Sequence, residues 1–335
     1  MASNMTIDDI AAALGVSKTT VSRAISGKGR ISEATRERVR AYIEEHNYKP
    51  NIMARGLAQS RTFNIGVVLP GEYGVVDLPF FQECIAGMTD VTAPAGIDIM
   101  LTIMQEGDIS NLRRIIEHSK VDGVILTRTM VEDRAAAYLQ ETGFPFVSIG
   151  TCDDPGRICV DQDNMGGCLE LTERLLASGL KRLALIGGNE AHIITRTRRR
   201  AFEKAHENLG LIPDPDLIYM NVLDPERVED AVAKILDQGA DCIVCMSDRL
   251  AGNILMRCSL LGIRIPEDIR IASYYDSSLL ENAVPRVTSV AFNERQLGAE
   301  AARILLQRIE GEDTEGKILH NYTIHIRQST QMPDT

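Results

Sequence analysis

The spacing of apolar residues over the first 45 positions predicts three short helices around a small core. Apolar side chains recur at helical spacing after Thr6, Ser17 and Ser32, and each of these hydroxyl residues suits a helix N-cap. Gly15 lies between the first two segments and suits a tight turn with positive φ. The residues expected in this core are Ile7, Ile10, Ala11, Leu14, Val21, Ala24, Ile25, Ala34, Val39, Tyr42 and Ile43. Two helices joined by a glycine turn form a helix-turn-helix arrangement, whose second helix enters the major groove of DNA.

The polar face of the second predicted helix carries side chains suited to reading DNA. Lys18 and Thr19 fall on its first turn and Arg23 lies one turn later, so all three can reach base edges. The hydroxyl groups of Ser17 and Thr20 suit phosphate oxygens. For this pattern alone, a generic helical hairpin with a solvated polar face is the alternative.

From Asn64 onward, short apolar runs alternate with helical segments. Nine runs are predicted to be strands: 65–69, 97–103, 123–126, 144–149, 183–186, 216–219, 242–246, 269–273 and 287–291. Such strands indicate parallel sheets covered on both faces, and their number suits two doubly wound lobes better than one. Ligands of these sheets bind beyond the carboxyl ends of the strands. Most residues at those ends are polar, small or aromatic, as expected of a cleft that binds a small polar molecule.

Charge is divided unevenly along the 335-residue chain, whose net charge is −11. Residues 1–61 carry ten basic and six acidic residues, a net of +4, which leaves the remainder with 26 basic and 41 acidic residues, a net of −15. A small basic head on a large acidic body predicts a head that meets a polyanion and a body with another role.

No motif indicates catalysis. The sequence has no G-x-G-x-x-G after the first predicted strand, no Walker loop, no H-E-x-x-H and no G-x-S-x-G, and its six His residues show no metal-ligand spacing. Cys242 and Cys245 fall three apart in a predicted strand and point to opposite faces, so they are interpreted as buried hydrophobes. We expect no enzyme, cofactor, metal or membrane span, and a cytoplasmic protein.

Three stretches of the head resemble one family. Thr6–Ser26, Ile31–Val39 and Asn47–Leu57 resemble the N-terminal signature of the lactose-repressor (LacI/GalR) family of bacterial transcription regulators, and the likeness extends over nearly the whole chain. It implies an N-terminal all-α helix-turn-helix DNA-binding domain plus an α/β periplasmic-binding-protein-like core of two doubly wound lobes. The implied domains are 1–48 (DNA-binding), 49–61 (hinge helix) and 62–335 (core), with lobe 1 about 62–161 and 293–320 and lobe 2 about 162–292 and 321–335.

The resemblance also implies roles for individual residues. The base readers are Lys18, Thr19 and Arg23; the DNA-backbone contacts are Thr6, Ser17, Thr20, Ser22 and Asn51; and Leu57 is the hinge residue that opens a minor-groove base step. The effector contacts are Arg198, Ser247, Asp248, Tyr275, Tyr73 and Phe81. Two positions that carry a cleft carboxylate in the family are Tyr275 and Gly150 here, which leaves room for an anionic sugar derivative as effector.

These features together predict an effector-controlled repressor. No apolar heptad tail follows the last predicted strand, so a homodimer is expected rather than a tetramer. A two-fold dimer with two reading helices binds a pseudo-palindromic double-stranded DNA operator. The alternatives are a ligand-binding protein with a vestigial head and an α/β enzyme that uses a nucleotide. Removal of residues 1–61 distinguishes them, since only a regulator would lose DNA binding and keep ligand binding.

Overall fold

The computed structural model describes residues 5–26, 29–46, 48, 56, 61–72, 79–105, 107–152 and 154–331. These residues belong to two compact units, Met1–Thr62 and Phe63–Thr335. Asn51, Leu57 and Tyr73 lie outside the described residues, so the roles assigned to them stay predictions. The predicted domain and lobe boundaries also stay predictions.

The first unit contains three helices, α1 (Ile7–Leu14), α2 (Lys18–Ser26) and α3 (Glu33–Glu45). Thr6, Ser17 and Ser32 cap these helices, because each hydroxyl oxygen accepts a hydrogen bond from the backbone amide three residues later. Gly15 joins α1 to α2 with a φ of 65°, in the left-handed region that glycine adopts without strain. The helix-turn-helix expected from the sequence is therefore present.

Five buried side chains from all three helices form the core of this unit: Ile10, Ala11, Val21, Ala24 and Val39. The expectation that Ala34 joins them is wrong, since Ala34 is exposed. Ala34 lies five residues before Val39, which places it about 140° away around α3. Ile31, just before α3, packs against the core instead.

The second unit is built from two six-stranded sheets. The strands are β1 (Asn64–Pro70), β2 (Asp98–Met104), β3 (Gly123–Leu126), β4 (Phe146–Ile149), β5 (Cys159–Gln162), β6 (Leu183–Ile186), β7 (Ile218–Tyr219), β8 (Cys242–Cys245), β9 (Arg270–Ser273), β10 (Thr288–Ala291), β11 (Lys317–Leu319) and β12 (Thr323–His325). Their order is β11-β5-β4-β3-β1-β2 in the first sheet, called lobe 1, and β12-β10-β9-β8-β6-β7 in the second, called lobe 2. All paired strands are parallel except β10 and β12.

Helices connect the strands and cover both faces of each sheet. They are α4 (Pro79–Thr92), α5 (Ser110–Glu117), α6 (Arg134–Thr142), α7 (Asn164–Ala177), α8 (Ile193–Asn208), α9 (Pro225–Asp237), α10 (Asp248–Leu260), α11 (Ser278–Glu281) and α12 (Glu294–Ile309). On β1, Val67 packs into one apolar cluster of lobe 1 and its neighbour Val68 into another. Successive strand residues point to opposite faces, so the sheet is buried on both sides, as the apolar runs predicted.

The nine predicted strands are present, and the structure adds β5, β11 and β12. These three are short, and β5 ends in the polar pair Asp161 and Gln162, so none gave an apolar run in the sequence. The chain passes from lobe 1 to lobe 2 after β5, returns after β10 and crosses again after β11. The antiparallel pairing of β12 departs from the expected all-parallel sheets.

Two glycines bring α4 and α12 into backbone contact. A Cβ atom at Gly87 would overlap the carbonyl oxygen of Arg295, and one at Gly298 would overlap that of Cys84. Only glycine permits this approach, because neither backbone atom can move aside as a flexible side chain would. The contact fixes the position of α4, whose first turn carries Phe80 and Phe81 at the edge of lobe 1.

The cysteines fall into two groups. Cys242 and Cys245 are buried in different apolar clusters on opposite faces of β8, which confirms their interpretation as core residues. Cys152 and Cys159 form a disulfide between β4 and β5, which the sequence analysis did not anticipate. Among the residues described, no helix is both long and apolar enough to span a bilayer.

Candidate DNA-reading head and effector cleft

Helix α2 presents a polar face to solvent. Lys18, Thr19, Ser22 and Arg23 are exposed, whereas Val21 on the other side of the helix is fully buried. The side chains expected to read bases therefore share one accessible surface, and the core of the unit holds that surface in place.

Two of the residues expected to contact the DNA backbone, Thr6 and Ser17, are helix N-caps. The hydroxyl of Thr6 lies in a capping box with Asp9, and Ser17 and Thr20 hydrogen-bond to each other at 2.9 Å between their hydroxyl oxygens. These residues mark the N-termini of α1 and α2, where free backbone amides and the helix dipole attract phosphate. Their capping contacts thus present two helix ends that suit a polyanion.

One expected base reader already has an acidic partner. The Lys18 ammonium lies 2.5 Å from a carboxylate oxygen of Asp8 on α1, and both side chains are more than half exposed. An ion pair this exposed adds little stability. For Lys18 to contact DNA, its ion pair with Asp8 has to break.

In the core, Arg198 lies in a buried polar cluster between the lobes. Its Nη2 atom donates to Asn164 Oδ1 at 3.0 Å, and Nη1 donates to the carbonyl oxygen of Met246. Its Nε atom is buried without a partner among the described residues, and so is Nε2 of Gln162 on β5. Buried donors without acceptors are rare in folded proteins, so this cluster is suited to binding a ligand that accepts hydrogen bonds.

Buried and half-buried carboxyl groups lie near Arg198 and Tyr275. Asp161 accepts hydrogen bonds from the hydroxyl of Thr151 and from Asn164, and burial raises its pKa. Asp248 is only 3% exposed, at the start of α10, where it accepts from the amide of Arg249. Burial also raises the pKa of Glu294. The cleft thus retains acidic groups although Gly150 and Tyr275 occupy the two positions where the family carries carboxylates.

Ser247 and Tyr275 border the same cluster. Ser247 caps α10, because its hydroxyl oxygen accepts from the amide of Leu250 at 3.3 Å. Tyr275 is 8% exposed, and burial, followed by the nearby carboxylates of Glu294 and Asp248, raises the pKa of its phenol. Its ring lies 6.2 Å from that of Phe80 in an edge-to-face contact across the cleft.

Phe81 does not lie where the sequence placed it. Its side chain is buried in the core of lobe 1, packed with residues of β1 and α12. Phe80, its half-buried neighbour, is the ring that faces lobe 2. On a helix, adjacent residues point about 100° apart, so Phe80 points toward the cleft while Phe81 points into the core. Phe80 therefore replaces Phe81 in the candidate site.

A cavity of about 560 Å³ lies between the carboxyl ends of the strands of the two lobes. Lobe 1 contributes Glu72 and Arg128, and lobe 2 contributes Asn189, Glu190 and Asn221. The size is that of a small-molecule pocket, and the lining is rich in hydrogen-bonding groups. Within the described part of the core, the cavity and the Arg198 cluster share no lining residue, and together they are called the candidate effector cleft.

One wall of the cavity is a direct connection between the lobes, here called the interlobe bridge and formed by residues 128–131 and 191–193. The amide of Val131 donates to the carbonyl of Ala191 at 2.9 Å, and the amide of Ile193 donates to that of Thr129 at 3.2 Å. Arg128 Nη1 donates to Glu72 Oε1 at 2.5 Å and lies 3.1 Å from His192 Nε2. Burial, and then the charge of Arg128, lowers the pKa of His192 to about 4, so the neutral ring accepts this hydrogen bond at neutral pH.

Comparison with known proteins identifies the family to which this architecture belongs. Residues 6–51 match the model for bacterial regulatory proteins of the lacI family, and residues 172–330 match that for a periplasmic binding protein-like domain. The HTH-type transcriptional regulator CelR of Thermobifida fusca is 31% identical over 92% of this chain and 93% of its own. The chain belongs to the lacI family of bacterial regulatory proteins.

Solved structures agree with this assignment. A transcriptional regulator CelR–cellobiose complex aligns over 97% of this chain and 99% of its own, with 29% identity and a TM-score of 0.74. A lac repressor dimer bound to operator and the anti-inducer ONPF aligns over 98% of this chain and 100% of its own, with a TM-score of 0.81 and 22% identity. This second likeness shows the fold. This lacI-family member is a DNA-binding transcription regulator, and both the expected fold class and the expected function class are confirmed.

Proposed function

We propose that this lacI-family regulator is a repressor that binds a pseudo-palindromic operator as a homodimer, and that a neutral carbohydrate in the effector cleft controls it. The proposal assigns base reading to Lys18, Thr19 and Arg23. Phosphate contacts are assigned to Thr6, Ser17, Thr20, Ser22 and Asn51, and the minor-groove wedge to Leu57. The exposed polar face of α2 and the two capped helix N-termini support the assignments within the described head.

Exposed apolar side chains in both lobes support the homodimer. Leu101 and Ile103 are about half exposed on β2, the edge strand of the lobe 1 sheet, and Met256 and Leu260 are 60% and 72% exposed on α10 of lobe 2. An exposed apolar edge strand favours pairing with another chain. We expect Leu101→Lys to shift the protein toward monomer in analytical ultracentrifugation and to weaken operator binding. A variant that stays fully dimeric would place the interface elsewhere.

Hydrogen-bonding capacity favours a neutral sugar over an anion. Both Nη atoms of Arg198 are already engaged by protein oxygens, which leaves only its Nε atom for a ligand. Asp161 and Asp248 are buried and Glu294 is half-buried near Tyr275, and their ionised forms would repel a phosphate or carboxylate. Carboxylates accept hydrogen bonds from sugar hydroxyls, and a single donor can pair with a hydroxyl or ring oxygen. These contacts weigh against the anionic effector considered from the sequence.

The observation that carries the proposal is the pair of buried donors without acceptors, Arg198 Nε and Gln162 Nε2, in a core whose two lobes also enclose a cavity of about 560 Å³. A disaccharide fits a pocket of this size. Cellobiose is the first probe, since it is the ligand named for the similar CelR complex.

The test compares Arg198→Ala with Arg200→Ala, because Arg200 carries the same charge on the same helix but is exposed. Operator affinity is measured by anisotropy of labelled inverted-repeat DNA selected from a random pool, with and without cellobiose or glucose 6-phosphate. We expect cellobiose to change the operator affinity of wild type and Arg200→Ala, and Arg198→Ala to bind operator without responding. A response to glucose 6-phosphate alone would refute the neutral effector.

A further inference from the structure

Cys152 and Cys159 differ from the other cysteines in two respects. Both are half-buried, and their sulfur atoms are bonded, with Cα atoms 6.2 Å apart, a separation usual for disulfides. Cys84, Cys168, Cys242, Cys245 and Cys258 are all buried and free. A small reagent in solution therefore reaches Cys152 and Cys159 far more readily than the others.

Contacts other than the disulfide hold the two cysteines close. They lie at either end of the β4–β5 loop, and Arg157 within this loop makes a nearly buried ion pair with Asp133 at 2.6 Å. Gln140 Nε2 also donates to Asp154 Oδ2 at 2.9 Å. Asp133 and Gln140 belong to the N-cap and body of α6, so the loop is anchored to a helix. The thiols stay within reach of each other when the bond opens.

A chain of hydrogen bonds leads from this loop to Arg198. The hydroxyl of Thr151, next to Cys152, donates to Asp161 Oδ2 at 2.6 Å, and Asp161 lies two residues after Cys159. Asn164 Nδ2 donates to Asp161 Oδ1 at 3.1 Å, and Asn164 Oδ1 accepts from Arg198 Nη2 at 3.0 Å. The disulfide therefore closes the loop between Cys152 and Cys159 directly beside the Thr151–Asp161 hydrogen bond, which begins the series of hydrogen bonds that orients Arg198.

We propose that Cys152 and Cys159 form a reversible thiol–disulfide switch that sets the affinity of the effector cleft. The co-reactant is a low-molecular-weight disulfide such as oxidised glutathione. The thiolate of one cysteine attacks it, forms a mixed disulfide and releases one glutathione thiolate. The second cysteine then attacks the mixed disulfide and releases the other. Two protein thiols and one oxidised glutathione thus give one protein disulfide and two reduced glutathiones, and excess reduced glutathione reverses the exchange.

The oxidised state binds the effector more tightly. The disulfide restricts the loop and so keeps Thr151 against Asp161, which holds Asn164 and Arg198 in their binding arrangement before the ligand arrives. In the reduced state Arg157 and Asp154 still anchor the loop to α6, but Thr151 is no longer tied to β5 through Cys152, and the ligand has to order this end of the loop. We expect a difference in affinity of about fivefold or more, at the lower end of ordinary coupling between sites. This effect on affinity rests on the proposed effector site, whereas the exchange chemistry does not.

The first experiment uses the full-length protein equilibrated with oxidised or reduced glutathione. Rapid alkylation and peptide mass spectrometry should find the Cys152–Cys159 linkage in the oxidised sample and both thiols alkylated in the reduced sample. Hydrogen exchange of residues 158–164 and of the start of α8 should be slower in the oxidised wild type and in Cys258→Ala, a buried control. Cys152→Ser should show no dependence on glutathione. No linked peptide, or identical exchange in both states, would overturn the switch.

The second experiment titrates cellobiose into both redox states by calorimetry. Tighter binding to the oxidised wild type, with a single affinity for Cys152→Ser, supports the switch, and equal affinities in the two wild-type states refute it. If cellobiose binds neither state, the carbohydrate proposal fails on its own, and hydrogen exchange decides the switch.

Discussion

The interlobe bridge predicts that one histidine side chain stabilises the closed arrangement of the effector cleft. His192 accepts a hydrogen bond from Arg128 at 3.1 Å across the lobes, while the Arg128–Glu72 ion pair lies within lobe 1. His192 precedes α8, but its side chain makes no capping hydrogen bond to that helix. His192→Ala therefore removes the side-chain hydrogen bond of the interlobe bridge and leaves the ion pair and the helix intact.

The magnitude follows from the chemistry of this bond. A hydrogen bond from a charged donor contributes about 1.5–3 kcal/mol to stability. Arg128 keeps its stronger partner Glu72, and its side chain is 19% exposed, so water replaces part of the lost contact. A loss of about 1–2 kcal/mol remains, which shifts the equilibrium between closed and open lobes toward the open state by roughly 5- to 30-fold.

The assay is effector binding by calorimetry, because the chain has no Trp to report closure by fluorescence. We expect His192→Ala to bind cellobiose roughly 5- to 30-fold more weakly, as required for a ligand that binds the closed arrangement. Its ligand-free radius of gyration by X-ray scattering should rise, and operator binding without effector should persist. His118→Ala is the matched control, because it removes the same side chain from an exposed position at the C-terminal end of α5. Unchanged affinity together with an unchanged radius of gyration would refute the role of His192.

Three further predictions follow. His192 has a pKa lowered from 6.5 to about 4, so the unfolded chain takes up its proton first and the stability due to the neutral ring is lost as pH falls from about 6.5 to 4; Tm should drop more over this range in wild type than in His192→Ala. Asp8→Asn should free Lys18 and strengthen binding to operator, measured by anisotropy at several salt concentrations. Leu57→Ala should weaken operator binding and leave cellobiose affinity unchanged, and an unaltered operator affinity would exclude the wedge role.

The fold was largely predictable because its signals are local. Apolar runs of four or more residues marked the central strands, and hydroxyl caps with helical spacing marked the three helices of the head. The missing elements lack such signals. β5 has two polar residues in four, and β11 and β12 have three residues each, so only the sheets to which they add reveal them.

The site residues were predictable only where local helical spacing decides which side chains are exposed. The exposed face of α2 follows from helical spacing. In the cleft, no sequence pattern indicates that Phe80 rather than Phe81 faces lobe 2, because the rotation of α4 depends on its glycine contact with α12. Asp161 lies in β5, a strand that gave no apolar run, and Glu294 begins α12, so the predicted strand ends do not single them out.

The distribution of contacts across the cleft explains how a small ligand can control this core. The polar cluster around Arg198 is satisfied within the protein except for a few buried donors, so it changes little until a ligand supplies acceptors. The interlobe bridge, in contrast, consists of two backbone hydrogen bonds and one side-chain hydrogen bond. At about 1 kcal/mol net for each ordinary hydrogen bond, it favours closure by only a few kcal/mol. An effector shifts an equilibrium by no more than its difference in affinity for the two states, commonly 1–3 kcal/mol, and that difference is comparable to the strength of the bridge.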